Sequence, residues 1–448
     1  MTKLVFSFDT EDYINPEGAD GILATAQLLR ANGIKGNFNM VGRMALQLRE
    51  WGRQDVIDEL RNHHEISYHS TSHSMHPTIN EYTDFCDIRM ALKLFKQDEA
   101  RGIQMVKDVF GVDKINSACP PGSSHSYIAH YGYSELGIPT YNAGYCVDEN
   151  RGRPVSVCNI YAMQYGKCLE YYLPVTSEED IKAYVDEVAK TKDLYIFYHH
   201  PQMAIFSEWC DEINFNGDNT PRDQWKPSQK WPEERRKLFY ERFAYLINLV
   251  KNDPRFEITT YAEIAKSLEC TRTVTLSDIP ALRKAIDQEL FPVTLPESLS
   301  LCDILQACRS FLTGKKEHVC QKVYGFYAEP YARPEPVTVT KHDLINSLEF
   351  IPEEDFLPEF FYAGSIKLGP ADWLRAALAI LDGEESYTVT PGPWQIDMDQ
   401  FPKTRDDDLS HIWIHSPLFE DKYTSDRMRL QSWTFRMQKG TQRKPLDP

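Results

Sequence analysis

The sequence predicts an α/β chain, with a barrel of parallel βα units over residues 1–270 and a mainly α-helical region over residues 271–448. Two observations predict the barrel. Short β-branched and aromatic runs alternate with longer helical patterns, and several of the apolar runs end in ionisable residues. A third observation predicts the second region: beyond Cys270 proline is more frequent and a stretch of sequence recurs.

In chain order, residues 4–8 read as the first strand and 22–31 as a helix ended by Gly33. A strand over 36–41, a helix over 56–62 and a strand over 65–68 follow. A long helical pattern covers about 83–110. Residues 115–118, 169–173 and 194–198 read as further strands, the last two separated by a helix over 177–190. A helix over 231–251, a strand over 256–260 and a helix over 262–268 end the first region. In the second, Val274-Thr-Leu-Ser-Asp-Ile279 matches Val339-Thr-Lys-His-Asp-Leu344, and Leu299-Ser-Leu-Cys-Asp303 matches Leu368-Gly-Pro-Ala-Asp372. The spacing predicts a duplicated helical module at about 274–314 and 339–383, most simply a structural appendage.

Composition narrows the partners. The 49 basic and 66 acidic residues give a net charge of -17, which repels polyphosphate backbones and anionic lipid surfaces, so no nucleic-acid partner is expected. No apolar run approaches the roughly 20 residues that span a bilayer. The opening Met-Thr-Lys-Leu-Val-Phe enters a strand without a signal segment, so a cytoplasmic location is expected. Ten scattered cysteines without Cys-x-x-Cys spacing read as reduced thiols. Cys119 stands apart because it precedes Pro120-Pro121-Gly122.

Three strand ends carry the chemistry. His69-Ser-Thr-Ser-His73 follows the strand at 65–68 and sets two imidazoles four residues apart, a helical-face spacing from which both can reach one metal. Asp9-Thr-Glu11-Asp12 follows the first strand, and three carboxylates so close call for a compensating cation. His199-His200-Pro201 closes the strand at 194–198. In parallel barrels the carboxyl ends of the strands converge on the active site. Strand parity favours Glu11 over Asp12 as a ligand and lets only one of His199 and His200 face inward. Trp209, Trp225 and Trp231 lie in the polar, aromatic stretch after His200, where they can stack on sugar rings or simply pack. His76, His125 and His130 read as structural.

These motifs resemble the polysaccharide deacetylase family. Ser-Phe-Asp9-Thr-Glu11-Asp12 is similar to its first motif, and His64-Glu65-Ile-Ser-Tyr-His69-Ser-Thr-Ser-His73 to its metal-binding second motif. Pro120-Pro121-Gly122 resembles the third and His200-Pro201 the last. The resemblance covers residues 1 to about 270. It implies a distorted (β/α)7-type barrel and a divalent metal, commonly zinc but also cobalt, nickel, manganese or iron, on His69, His73 and Glu11 or Asp12. It also implies Asp9 as general base and His200 as general acid, with the metal and a backbone N–H near Pro121 and Gly122 stabilising the oxyanion. The implied activity is hydrolysis of an N-acyl, typically N-acetyl, group on an amino sugar or glycoconjugate. One departure stands out. The arginine that in the family holds the aspartate before Pro-x-Gly is replaced by Ser117-Ala118-Cys119. The alternatives are deformylation or allantoinase-like amide hydrolysis on the same fold, and a non-catalytic carbohydrate-binding protein, since the repeats distantly resemble ones that bind cell-wall polymers.

Overall fold

In a computed structural model of the chain the described residues are 1–124, 126–142, 151–294, 298–350, 356–397 and 414–437. They form two compact units. One comprises Met1–Pro154, Ile160–Leu268 and Thr404–Tyr423, the other Val155–Asn159, Glu269–Lys403 and Thr424–Pro448. A single cut at residue 270 therefore misses two short segments that each belong with the opposite unit.

The strands of the first region are β1 (Thr2–Thr10), β2 (Asn37–Met40), β3 (Glu65–Tyr68), β4 (Ser117–Ala118), β5 (Thr140–Asn142), β6 (Val155–Val157), β7 (Ile160–Met163), β8 (Leu194–His199) and β9 (Phe256–Ile258). In the first unit they run in the order β7-β5-β4-β3-β2-β1-β8, every neighbouring pair parallel, with β9 parallel to the start of β1. Beyond β7 the chain meets β8: Gly166 N donates to Ile196 O, Tyr198 N donates to Lys167 O, and Cys168 bridges Tyr198 in parallel. The sheet thereby curls into a distorted (β/α) barrel. The helices are α1 (Gly18–Ala31), α2 (Gly42–Glu50), α3 (Gln54–His63), α4 (Ile79–Thr83), α5 (Ile88–Phe110), α6 (Tyr127–Glu135), α7 (Leu169–Tyr172), α8 (Glu178–Thr191), α9 (Cys210–Phe215), α10 (Glu233–Lys251) and α11 (Tyr261–Leu268).

The two-residue period of a strand divides the barrel wall. On β1, Phe6 and Phe8 meet Phe243 of α10, whereas Val5 packs with Ile196, Met163, Tyr261 and Ile264. The same alternation carries Ser7 and Asp9 to the side of Asn39, whose Nδ2 donates to Ser7 Oγ (2.8 Å) and Asp9 Oδ1 (2.6 Å). The barrel is apolar at its floor and polar toward the carboxyl ends of its strands.

Residues 169–173 are not the strand their composition suggests. They form α7 and the start of a 3-10 turn, because residues 166–168 have already taken the pairing with β8. The helical pattern over 83–110 resolves into the short α4 and a long α5, the latter started by Asp87, whose side chain accepts from Arg89 N and Met90 N. Among the described residues no helix is long and apolar enough to cross a membrane.

The repeat in the second unit is richer than a pair of helices. The first copy runs β10 (Thr273–Thr275), α12 (Ile279–Gln288), β11 (Val293–Thr294), β12 (Ser298–Leu299), α13 (Leu301–Leu312) and β13 (Glu317–Val319). The second runs β14 (Val337–Thr340), α14 (Lys341–Ser347), β15 (Phe361–Ala363), β16 (Ile366–Leu368), α15 (Pro370–Leu381) and β17 (Ser386–Val389); α16 (Thr424–Gln431) follows. In each copy the outer strands pair antiparallel and the inner two form a hairpin. The matched Thr-x-x-Asp segments are capping boxes, Thr275 with Asp278 and Thr340 with Asp343. Short edge-exposed strands between strong helices gave no alternating pattern to read, which is why only the helices stood out.

Candidate active site

Asp9 lies next to the last residue of β1 and Glu11 two residues on, so both project to the inner side at the carboxyl mouth of the barrel. Both are buried, at 3 % exposure each. Glu11 Oε2 lies 3.1 Å from His69 Nε2 and 3.0 Å from His73 Nε2, and its Oε1 accepts from Gln202 Nε2 at 3.0 Å. Asp12, the alternative ligand, turns away. Its Oδ1 accepts from Ile14 N and Asn15 N, and both its oxygens face Asn15 Nδ2, which closes the turn into α1. Burial pushes the Asp12 carboxyl up to about 6.

The two histidines do not share a helical face as their spacing suggested. They sit on a loop after β3 in which Ser70 (φ 67°) and His73 (φ 53°) are both left-handed, and that folding brings the rings to 4.9 Å between centroids. Each ring is fixed from behind. His69 Nδ1 faces the Cys119 carbonyl oxygen at 3.2 Å and Cys119 Sγ at 2.8 Å. His73 Nδ1 faces Asp211 Oδ2 and Ser74 Oγ, each at 2.7 Å. Both Nε2 atoms are therefore aimed at the Glu11 oxygen.

Glu11, His69 and His73 offer donor atoms within 4.8 Å of one another. One carboxylate and two imidazoles braced through Nδ1 are a donor set suited to a divalent ion of the zinc class. The electrostatics agree. Burial disfavours charge on His73, yet Glu11 and Asp211 outweigh it and hold the ring up to about 10; burial likewise opposes His69, which Cys119 and Asp9 hold up to about 10. Glu11 is kept well below the ordinary carboxylate range, burial notwithstanding, by His73 and His200. A divalent cation held by the two rings would meet the same demand for positive charge beside Glu11.

At the end of β8 the parity places His199 and His200 on opposite sides. His199 packs its ring on Phe239 of α10, at 4.6 Å between centroids. His200 faces the mouth, its Nε2 lying 3.6 Å from Asp9 Oδ2. Its Nδ1 is held at 2.5 Å by Glu170 Oε1, while Glu170 Oε2 lies 3.4 Å from His199 Nδ1. Burial opposes a charge on His200, but Glu170 and then Glu11 raise its pKa well above the usual imidazole value. Burial holds His199 low instead.

Among the described residues no arginine pairs with Asp9. Its Oδ1 accepts from Asn39 Nδ2 at 2.6 Å and Tyr165 OH at 3.0 Å, with Cys119 Sγ at 3.6 Å, while its Oδ2 faces His200. Burial and then Asp9 push the Cys119 thiol up to about 12.

The remaining residues divide. Trp209 sets its indole edge-on to the His200 ring at 4.7 Å and donates through Nε1 to Tyr171 OH at 2.8 Å, an aromatic wall beside the mouth. Pro121 and Gly122 begin a tight turn after Cys119, with Gly122 at φ 47° and Pro121 O accepting from Ser124 N. Trp225 packs on Tyr13 and Phe215, and Trp231 under Arg235. His76 is tied to Glu81 and the Phe215 carbonyl, and His130 to the Ser126 carbonyl. His125 lies outside the described residues.

Four residues of this site carried no local motif. Asn39 was visible only as one of two asparagines in a short strand, directly in register with Asp9. Glu170 was hidden in a segment read as strand, and Tyr165 and Asp211 are joined to the site by the fold alone.

No family model matches the chain, and no curated protein matches its sequence. Among solved structures it is similar to a polysaccharide deacetylase from Mycobacterium smegmatis, at 13% identity and a TM-score of 0.39 over 60% of this chain and 90% of that one. It is also similar to a family 4 acetyl xylan esterase from Clostridium thermocellum in complex with cobalt, at 15% identity and a TM-score of 0.32 over 59% and 91%. A third likeness is to a CE4 family pseudoenzyme from Bacillus anthracis, at 9% identity and a TM-score of 0.29 over 45% and 56%. Any activity of this chain rests on its own residues.

Proposed function

We propose that the chain hydrolyses an N-acyl group, in the first instance N-acetyl, from an amino sugar or glycoconjugate. The observation that carries this reading is the convergence of Asp9, the Glu11–His69–His73 donor set and His200 at one barrel mouth, with His200 Nε2 3.6 Å from Asp9 Oδ2. A base and an acid beside one reacting centre are what amide hydrolysis needs.

Asp9, held by Asn39 and Tyr165, takes the proton from the attacking water as oxygen adds to the acyl carbon. His200, kept protonated by Glu170, delivers a proton to the departing amine nitrogen as the C–N bond breaks. Glu11, His69 and His73 would hold a divalent ion, zinc or cobalt by preference, whose chemistry there is Lewis-acid polarisation of the acyl group. Trp209 and the half-exposed Tyr171 present a surface on which a sugar ring stacks.

The test is acetate release from a panel of N-acetylated sugars and nucleotide-linked sugars by the zinc- or cobalt-loaded protein. D9N should bind metal as the unaltered protein does and release none. Absence of any acyl product from metal-replete protein would sink the proposal, and formate in place of acetate would redirect it to a formamido sugar.

A further inference from the structure

We propose that Cys168, Glu170 and His200 form a second cation site, separate from Glu11, His69 and His73, which takes a thiophilic divalent ion of the zinc, cobalt or cadmium class. The sulfur, a carboxylate oxygen and a ring nitrogen of these residues all lie within 4.8 Å of one another. The fold fixes them. Cys168 is bridged to Tyr198 of β8, and α7 starts directly after it, which brings Glu170 back against the end of the same strand. Glu170 is buried and braced through its second oxygen by His199 Nδ1 at 3.4 Å, the kind of backing that orients a metal ligand. Cys168 and His200 are only partly buried, with the His200 side chain 16% exposed, so an ion can enter from the mouth.

Nothing in the proposed hydrolysis uses the sulfur. A thiolate, an imidazole and a carboxylate together favour borderline-soft ions over magnesium or calcium. On binding, the Cys168 S–H proton and the His200 Nδ1 proton both pass to solvent, a sulfur–metal bond forms, and His200 Nδ1 is taken up as a ligand. His200 then keeps only its Nε2 proton, whose release would leave an imidazolate, so it is a far weaker acid toward the departing amine. Excess zinc thus shuts off the reaction that the first ion supports. That inhibition rests on the proposed hydrolysis, whereas the binding does not.

Cobalt titration of metal-free protein tests the binding. The unaltered chain should take up two ions, the second bringing thiolate-to-cobalt charge-transfer absorption. C168S should take up one ion without the band; C86S, at an exposed cysteine, should keep both ions and the band; H73A should lose the first ion and keep the band. A chain that shows no such band, or a band that survives C168S, overturns the proposal. In the activity arm, excess zinc should cost the unaltered protein more than about tenfold and leave C168S at its own starting rate. If no substrate is found, the cobalt spectra still decide.

Discussion

Glu170 Oε1 sits 2.5 Å from His200 Nδ1, so a carboxylate that is itself 3 % exposed sets both the orientation and the charge of the histidine that faces the barrel mouth. Removing that charge should act on the reaction through His200. We expect E170Q to lower kcat by about 10–100-fold with KM within about twofold. Because Glu170 raises the His200 pKa, the alkaline limb of the rate profile should also move to lower pH. Steady-state kinetics across pH check both, and an unmoved alkaline limb would remove Glu170 from this role.

Around Asp9, Asn39 Nδ2 and Tyr165 OH both donate to Oδ1, and the Tyr165 hydroxyl also lies 3.3 Å from Oδ2. Y165F and N39A should each cut kcat by about 3–30-fold while metal content stays at the unaltered level. Because both donors hold the same carboxylate, the double variant should depart from the product of the single effects. The measurement is a kinetic double-mutant cycle alongside metal analysis, and losses matched by falling metal content would assign these residues to folding of the site instead.

For the donor set, the brace behind His73 should matter nearly as much as the ring. D211N should weaken zinc or cobalt affinity by about 10–100-fold, because Asp211 fixes the Nδ1 side of that imidazole. D12A should leave affinity within about twofold and instead cost roughly 1–3 kcal/mol of stability, since Asp12 closes the turn before α1. Metal competition assays and thermal unfolding separate these outcomes.

Glu99, in the middle of α5, is 1 % exposed and accepts from Tyr133 OH at 3.0 Å and from Thr71 N at 3.4 Å. Burial, with Asp98 adding to it, pushes its carboxyl up from 4.5 to about 7. The folded state therefore binds a proton that the unfolded chain has released, and this stabilisation is full below about pH 4.5 and lost as pH rises through about 7. E99Q should unfold at a higher temperature than the unaltered chain at pH 8, by roughly 2–3 kcal/mol, with the gain fading toward pH 5. Calorimetry at several pH values reads this directly.

What the sequence disclosed and what it hid follow from physics. Asp9, Glu11 and His200 were legible because strand ends carry their own parity, and the structure sets them on one side. The histidine pair was legible as residues but not as geometry. Four-residue spacing suggests a helix, whereas left-handed Ser70 and His73 reach the same convergence from a loop. Glu170 could not be seen, because Leu169-Glu-Tyr-Tyr-Leu173 has strand-like composition and only the competition for β8 decides that it turns into helix. Asn39 and Tyr165 are a full register and a barrel closure away from the carboxylate that they hold.

The alternation along β1 has a wider consequence. Asp9 and Glu11 are consecutive inward positions that share one backbone phase with Ser7 and Val5 beneath them. Inserting or deleting one residue within β1 would therefore rotate Asp9 and Glu11 together toward α10, trading them for Phe6 and Phe8. The strand behaves as a reading frame for chemistry, intolerant of a change in length.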